Sequence, residues 1–223
     1  MKNFGKALKL YLKVSFNPIV SAFGIFIMVG VAAAAVFSPE SPENEDYMSM
    51  IAAAGFAQIG VGIFFIAGGP SMARNKYYIS LPFAKMLFTV IPAVTAAVMS
   101  LIYDNVIFAV AAFCWQEQAL ADIMIIAPVN SFMVCLAVSC LGKPKLEPLY
   151  IIPVIILATE HLVLPNISAA AHGFGLPVVT SAVIGFLIFI AGVAVTLLIM
   201  NIWWRNSDRV YRRTDIPVQP QIS

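Results

Sequence analysis

Charged residues are scarce in this chain of 223 residues, of which only 11% are Asp, Glu, Lys or Arg. Soluble domains carry about 25% charged residues, whereas 61% of the residues here are hydrophobic. Such a composition excludes an ordinary soluble domain. It predicts an all-α integral membrane protein, for which we expect membrane lipids and no nucleic acid as partners.

Cysteine and histidine are also rare, with three Cys and two His. No C-x-x-C pair occurs, so neither a disulfide framework nor a thiolate metal site is indicated. The motifs H-E-x-x-H, G-x-S-x-G and G-x-x-x-x-G-K-[ST] are missing as well. Their absence removes the commonest signatures of zinc proteases, serine hydrolases and ATP-binding loops. We therefore expect no catalytic residue, no metal site and no cofactor in this chain.

Basic residues are confined to four segments. All 13 Lys and Arg residues fall within residues 1–15, 68–85, 143–145 and 205–223. Because basic residues accumulate on the cytoplasmic side of membrane proteins, the four segments are predicted to face the cytoplasm. Both termini then lie inside, which requires an even number of spans. A spanning helix needs about 20 apolar residues, so the length fits six transmembrane helices.

These six helices are predicted within a transmembrane domain of residues 16–204. The third begins near residue 86, and the other five cover about 16–37, 50–67, 120–141, 149–164 and 177–204. Pro92 predicts a kink in the third. Two interpretations stay open for residues 104–122, whose apolar run of about 10 residues is too short to span alone. They form either an outer re-entrant or interfacial piece or an extension of the third span.

Residues 1–15 carry four lysines within one narrow arc at 100° per residue, while Phe4, Leu8, Tyr11 and Ser15 fall opposite. This pattern predicts an amphipathic helix in the membrane interface, with its lysines towards anionic headgroups. The alternative is a solvated start to the first span. At the other end of the chain, residues 205–223 are predicted to form a basic cytoplasmic tail.

Residues 68–85 are the only long internal break in hydrophobicity with positive charge on both sides of a turn signal. The Leu81–Pro82 step disfavours helical geometry at Leu81, which predicts a short helix or turn followed by a new membrane entry. A soluble partner can push on such an element at the cytoplasmic surface. The residues predicted to transmit this contact are Arg74, Lys76, Ser80, Leu81, Pro82 and Lys85.

Polar residues in or near the spans are candidates for a substrate path, because intramembrane ionisable residues are usually functional. The candidates are Asp104, Glu117, Asp122, Asn130, Glu160 and His161. We favour ordinary acidic residues of an outer loop for Asp104, Glu117 and Asp122. For Glu160 we favour a place at the outer headgroups over a buried substrate or proton site.

The sixth span aligns small residues on one face, namely Ser181, Gly185, Gly192 and Thr196. Small residues let helices approach closely in lipid, so this face predicts a helix-packing seam or a dimer seam.

The basic N-terminal helix, the six spans and the connection KYYISLPFAK together resemble the small permease subunits of bacterial ABC-2-type ABC exporters. In that family the connection often reads Ser-Leu-Pro, two residues, then Arg. Ser80, Leu81, Pro82 and Lys85 match this pattern with one conservative change. The resemblance implies that residues 68–85 form a coupling helix against a separate ATPase and that residues 1–15 form a connecting helix.

The resemblance further implies a transport subunit of a bacterial plasma membrane rather than an enzyme. Its substrate would be amphipathic, such as a peptide, a lantibiotic or a drug, and would move outward. The implied partners are an ATPase subunit, which holds ATP and Mg, and a second permease subunit, identical or similar. Two alternatives remain, a stand-alone proton- or ion-coupled carrier that uses Glu160 and a membrane-embedded enzyme.

Overall fold

The structure, a computed structural model, describes residues 2–37, 57–65, 72, 76–141, 143, 146, 151–152, 155–156 and 174–211. Its helices are α1 (Lys2–Ser15), α2 (Pro18–Phe37), α3 (Ile59–Phe65), α4 (Lys76–Ile79), α5 (Ala84–Phe88), α6 (Val90–Cys114), α7 (Glu117–Cys140) and α8 (Val178–Tyr211). No strand occurs in these residues. The predicted all-α class is confirmed for this part of the chain.

Three helices are long and apolar enough to cross a membrane. They are Ala84–Cys114, which joins α5 and α6, then α7, and Val178–Asn206 within α8. A fourth span results if α1 and α2 count as one bent unit. The described residues thus hold three to four spans, fewer than the six predicted. Half of the predicted second span and most of the predicted fifth span lie outside these residues.

A sharp corner joins α1 to α2. The two helix axes differ in direction by 88°, and only Phe16 and Asn17 separate the helices. Asn17 Oδ1 accepts hydrogen bonds from the backbone N–H groups of Ile19 (3.1 Å) and Val20 (3.3 Å). Because Pro18 occupies the first helical position and has no N–H to satisfy, α2 starts with its free donors capped. The Asn-Pro pair therefore fixes where the chain turns.

The third span is interrupted at Thr89, between α5 and α6. Pro92 lacks the N–H that would donate to a carbonyl one turn earlier, so regular helical bonding cannot continue across this point. At the break the Lys85 carbonyl oxygen accepts from both the Thr89 N–H at 3.0 Å and Thr89 Oγ1 at 2.6 Å. The structure thus shows a break at Thr89, three residues before Pro92, within one continuous span of Ala84–Cys114, and the kink stays a prediction.

A tight hairpin links α6 to α7. Helix α6 ends where the Trp115 N–H donates to the Ala111 carbonyl oxygen at 2.9 Å. Gln116 is extended, and α7 begins at Glu117. Residues 104–122 therefore extend the third span and then start the fourth. Of the two interpretations left open, the outer re-entrant or interfacial piece is wrong.

Helix α8 packs closely along α7. All four small residues of its predicted face are buried: Ser181, Gly185, Gly192 and Thr196. A Cβ atom added at Gly185 would overlap the Met124 carbonyl oxygen, and one at Gly192 would lie 2.6 Å from Phe132 Cβ. The small-residue face is therefore occupied within the chain, so it is a helix-packing seam and is not open to a second copy.

The predicted basic segments come together at one end of the helices. Helix α1 packs on α5, and the ring of Phe88 in α5 stacks 6.2 Å from that of Trp204 in α8. Lys143 lies just beyond α7, with Nζ 5.7 Å from the ring centroid of Trp203. Helix α8 continues through Arg205 to Tyr211, so the first part of the predicted tail is helical. We name this region the basic end.

Candidate functional site

A buried polar network joins three segments inside the helices. The Gln58 amide nitrogen donates to Asp104 Oδ1 and, at 3.2 Å, to the Ala127 carbonyl oxygen. The Ser131 hydroxyl lies 2.7 Å from Asp104 Oδ2 and 3.0 Å from Gln58 Oε1. Gln58 and Ser131 are fully buried, and Asp104 is 2% exposed. These contacts tie the start of α3 to the middle of both α6 and α7.

The positions of these residues in their helices explain why they meet. Ala127 and Ser131 are one turn apart on α7, so the carbonyl oxygen and the hydroxyl face the same neighbour. Gly60, two residues after Gln58, packs so closely on α2 that an added Cβ would lie 2.5 Å from the Gly24 carbonyl oxygen. The glycine contact holds the chain at Gln58 between α2 and α7.

Asp104 lies deep in an apolar environment. It sits ten residues before the end of α6, which is about 15 Å along a helix axis. The buried residues Tyr103, Ile107 and Ile123 belong to the apolar cluster between α6 and α7. No Lys, Arg or His of the described residues forms an ion pair with Asp104. Its neighbours within the described ranges therefore supply hydrogen bonds and no compensating positive charge.

The outer-loop interpretation of the three acidic residues is wrong for two of them. Asp104 and Asp122 are buried helical residues, whereas Glu117 is exposed in the first turn of α7. Asp122 Oδ1 accepts from Gln118 Nε2 at 3.1 Å and from the Phe174 N–H at 3.0 Å. It thereby fixes the segment that enters α8. The structure does not bring Asp122 into the network, since Ser131 follows it by nine residues, about 13 Å along the helix.

Asn130 lies next to Ser131 and is fully buried. Neither its amide nitrogen nor its amide oxygen has a hydrogen-bond partner among the described residues. An unsatisfied buried amide is costly, so Asn130 keeps its place as a candidate for contact with a substrate. Glu160 and His161, the remaining candidates of this group, lie outside the described residues.

The predicted coupling residues are only partly described. Helix α4 contains Lys76, and the turn after it exposes Ser80 and Pro82, while Leu81 is half-buried. Lys85 is exposed in the first turn of α5. Arg74 lies outside the described residues. The order of a short helix, a turn at Leu81–Pro82 and a new long helix agrees with the sequence pattern.

Lys143 is a basic residue that is buried at the basic end. Its side chain is 3% exposed, and Nζ donates to the Ser139 carbonyl oxygen and faces the ring of Trp203. Burial lowers the pKa of Lys143 to about 8, and the nearby Cys140 thiol opposes this shift. The positive-inside pattern grouped this lysine with the other basic segments, which it accompanies in the structure, yet it gave no sign that the side chain is buried.

Sequence reasoning missed Gln58 and gave Ser131 no role. A signal for Gln58 was present, because it is the one polar side chain in the apolar run of residues 50–67. For Ser131 there was none, since serine is common in membrane helices. The carboxyl, amide and hydroxyl groups of the network suit the binding of a proton or a small cation. No group of three or more His, Cys, Asp or Glu in the described part is placed to hold a metal ion.

Comparison with known proteins finds no matching family model, no significant match among curated proteins and none among solved structures.

Proposed function

We propose that this chain is the transmembrane permease subunit of an ABC exporter and that it moves an amphipathic substrate outward with a separate ATPase subunit. The observation that supports the proposal best is the contact at the basic end between α1 and α5, the helix that begins with Ala84 and Lys85 at the end of the predicted coupling segment. A connecting helix and a coupling element must share one surface if one soluble partner is to push on both. The sequence resemblance assigns these two roles to residues 1–15 and 68–85.

The orientation of α1 and the exposure of its side chains agree with a position at the membrane surface. Because α1 runs at 88° to α2, it lies across the end of the first span. Lys6, Lys9 and Lys13 are exposed, while Ala7 and Tyr11 are buried against the helices behind them. The Tyr11 ring stacks 5.9 Å from that of Phe65 in α3. An amphipathic helix in this position binds the headgroup region with its basic side.

The exposed side chains of the coupling segment are suited to a partner contact. Tyr77 is 63% exposed, and Ser80, Pro82 and Lys85 are exposed beside it. Pro82 fixes the backbone at the turn, so a force on this segment is passed to α5 and on to α6. The aromatic ring and the cation supply the binding contacts.

The decisive experiment is purification of the tagged chain from its own membrane, followed by measurement of ATP hydrolysis and its stimulation by amphipathic peptides. We expect an ATPase subunit to copurify with wild-type protein. Pro82→Ala combined with Lys85→Glu should reduce stimulated hydrolysis several-fold, since it alters both contact and geometry. Glu117→Gln, an exposed change at the opposite end of α6 and α7, is the matched control. Unchanged stimulation in the double variant would contradict the coupling role proposed for residues 68–85.

The predicted topology belongs to the same proposal. We propose six spans with both termini in the cytoplasm of a bacterial cell and with the basic end inside. In intact cells, a maleimide that cannot cross the membrane should label Glu117→Cys and leave Lys85→Cys and Arg205→Cys unlabelled, in a background without native cysteines. Labelling of Lys85→Cys before lysis would show that the basic end faces the outside and would contradict the proposed orientation.

A second permease subunit, identical or similar, completes the proposed exporter. Because α7 occupies the small-residue face of α8, the second subunit must bind elsewhere. The opposite side of α8 exposes large apolar residues, among them Val179, Val183, Phe186, Leu187 and Ile190. Such a side can face lipid or a second subunit, and site-directed crosslinking at Phe186→Cys would separate these cases.

A stand-alone proton-coupled carrier is the second candidate function. The carboxyl that favours it in the structure is Asp104, held in the buried network, rather than Glu160. Reconstitution of the purified chain in liposomes without an ATPase distinguishes the candidates. Substrate uptake driven by a pH gradient alone would support the carrier, and strict dependence on ATP and a partner would support the permease.

A further inference from the structure

If Asp104 is ionised, the buried network has fewer polar hydrogen atoms than it has close pairs of polar atoms. The Ser131 hydroxyl has one hydrogen, yet it lies within hydrogen-bond distance of two acceptors, Asp104 Oδ2 at 2.7 Å and Gln58 Oε1 at 3.0 Å. Both hydrogens of the Gln58 amide are already used, one by Asp104 Oδ1 and one by the Ala127 carbonyl oxygen. With an ionised carboxylate, one of these close oxygen pairs has no hydrogen between its atoms.

One additional proton on Asp104 removes this shortage. The Asp104 O–H then donates to Ser131 Oγ, and the Ser131 O–H donates to Gln58 Oε1. The Gln58 amide donates to Asp104 Oδ1 and to the Ala127 carbonyl oxygen, so the three side chains form a closed ring. Every polar hydrogen of the three side chains has an acceptor in this arrangement.

We propose that Asp104 is a proton-binding site and that the neutral carboxylic acid closes the ring with Ser131 and Gln58. The surroundings favour the same state, because an ionised carboxylate in an apolar interior needs a cation or several donors. Asp104 has no cationic partner among the described residues. The titratable groups that face it are the Tyr103 hydroxyl and the Cys135 thiol, and neither supplies a positive charge.

The bound proton ties together segments distant in sequence. Gln58 and Ser131 are 73 residues apart, and each contacts Asp104. Loss of the proton to water leaves a carboxylate that can no longer donate to Ser131. The hydroxyl then turns to the carboxylate and releases Gln58 Oε1, which opens the ring between Ser131 and Gln58, while the Gln58 bond to the Ala127 carbonyl oxygen still joins the start of α3 to α7. Protonation therefore controls how these segments are joined, whichever transport mechanism the chain uses.

Infrared spectroscopy of the purified full-length chain tests the proposal. We expect the C=O stretching band of a carboxylic acid in wild-type protein at neutral pH, with a shift to lower frequency in D2O. Asp104→Asn should remove this band, and Glu117→Gln, the control, should leave it unchanged. If Asp104→Asn instead removes carboxylate bands and leaves the acid region intact, Asp104 is ionised and the proposal is wrong.

Thermal unfolding gives a second readout. Asparagine has the shape of a neutral aspartic acid and can likewise donate to Ser131 Oγ, with one further N–H hydrogen, so Asp104→Asn should change Tm by no more than about 2 °C, whereas Asp104→Leu should lower it by about 4 °C or more. A large loss with Asp104→Asn would contradict a neutral acid. A rise in Tm that requires Na⁺ and is lost in Asp104→Asn would indicate a cation site instead, and would also overturn the proposal.

Ser131→Ala tests the proposal independently, in case Asp104→Asn does not fold. Removal of the hydroxyl that accepts the acid proton should shift the carboxylic acid band to higher frequency without abolishing it. A band that stays at its wild-type frequency in Ser131→Ala does not come from Asp104 in this ring and would contradict the proposal.

Discussion

Helix α7 is held by two faces of different character. Towards α8 it packs against small residues, so closely that side-chain atoms cannot be added at Gly185 or Gly192. Towards α6 and the start of α3 it uses hydrogen bonds, through Ser131 and the Ala127 carbonyl oxygen. The first contact depends on shape and the second on the pairing of donors and acceptors.

The difference matters because lipid is as apolar as the helix surfaces and gives no hydrophobic drive for helices to associate. The α8 contact gains its stability from van der Waals packing, closest at Gly185 and Gly192. The network gains its stability from a few polar atoms whose pairing changes with one proton. We therefore expect α7 to have a rigid side, which faces α8, and a responsive side, which faces α6 and the start of α3 and changes its hydrogen bonds with one proton.

Gly185→Ala should break the rigid side and produce the largest effect. The new Cβ would overlap the Met124 carbonyl oxygen and lie 3.1 Å from Pro128 Cγ, and a backbone atom cannot move aside as a flexible side chain can. We expect a loss of about 2–3 kcal/mol in the free energy of unfolding, typical of overpacking. Unfolding in mixed micelles by denaturant titration measures it.

Gly30→Ala is the matched control, because no atom from another helix in the described part of the chain lies within 4 Å of the position of its Cβ. It should be neutral or should stabilise by up to about 1 kcal/mol, since alanine favours a helix more than glycine does. Equal behaviour of the two variants would show that α7 and α8 are further apart than the structure places them.

Ser131→Ala should break the responsive side with a smaller loss. It leaves Gln58 Oε1 and one Asp104 oxygen without a partner, which costs about 1–3 kcal/mol for buried groups. Ser80→Ala removes an exposed hydroxyl that donates to the Tyr77 carbonyl oxygen at 2.9 Å and should stay within about 0.5 kcal/mol of wild type. If both serine variants unfold alike, the network contributes nothing measurable to stability.

Lys143, just beyond the end of α7, should give the smallest effect, visible as a pH dependence. Its pKa is lowered from 10.5 in the unfolded chain to about 8 in the folded one, so between these values the unfolded chain binds more protons. Stability then rises with pH across this window, by about 1 kcal/mol between pH 8 and pH 9.

Lys143→Met isolates this contribution. The stability difference between wild type and Lys143→Met should change in favour of wild type as the pH rises from 8 to 9. The Cys140 thiol is the titratable neighbour, so Cys140→Ser in both proteins serves as the control. A difference that is constant with pH would mean that Lys143 is hydrated in the folded state.

The sequence was sufficient for much of the fold. Long apolar runs predicted the helices that the structure gives as α2, α6, α7 and α8, and the small-residue face of α8 was recognised before its neighbour was known. The first span, predicted at about residues 16–37, agrees with α2, because capping and proline geometry at its start act locally.

The buried network was not predictable in the same way. Whether a carboxyl between apolar runs is exposed or buried depends on which helices surround it, and apolar periodicity cannot fix this for helices that are apolar on all sides. Asp104 was therefore assigned to a loop. Gln58 contacts it across 46 residues, a separation over which a single sequence carries no pairing information.

Only two residues, Trp115 and Gln116, separate α6 from α7, and this short link bears on how the chain enters the bilayer. Asp104 and Ser131 lie 27 residues apart on opposite arms of the hairpin, so they can meet as soon as both arms have left the ribosome. The contact needs the closure of a short loop only, which is fast. The carboxyl can thus pass into lipid already paired with the hydroxyl, and the glutamine, synthesised earlier, docks onto a hairpin that has inserted as one unit.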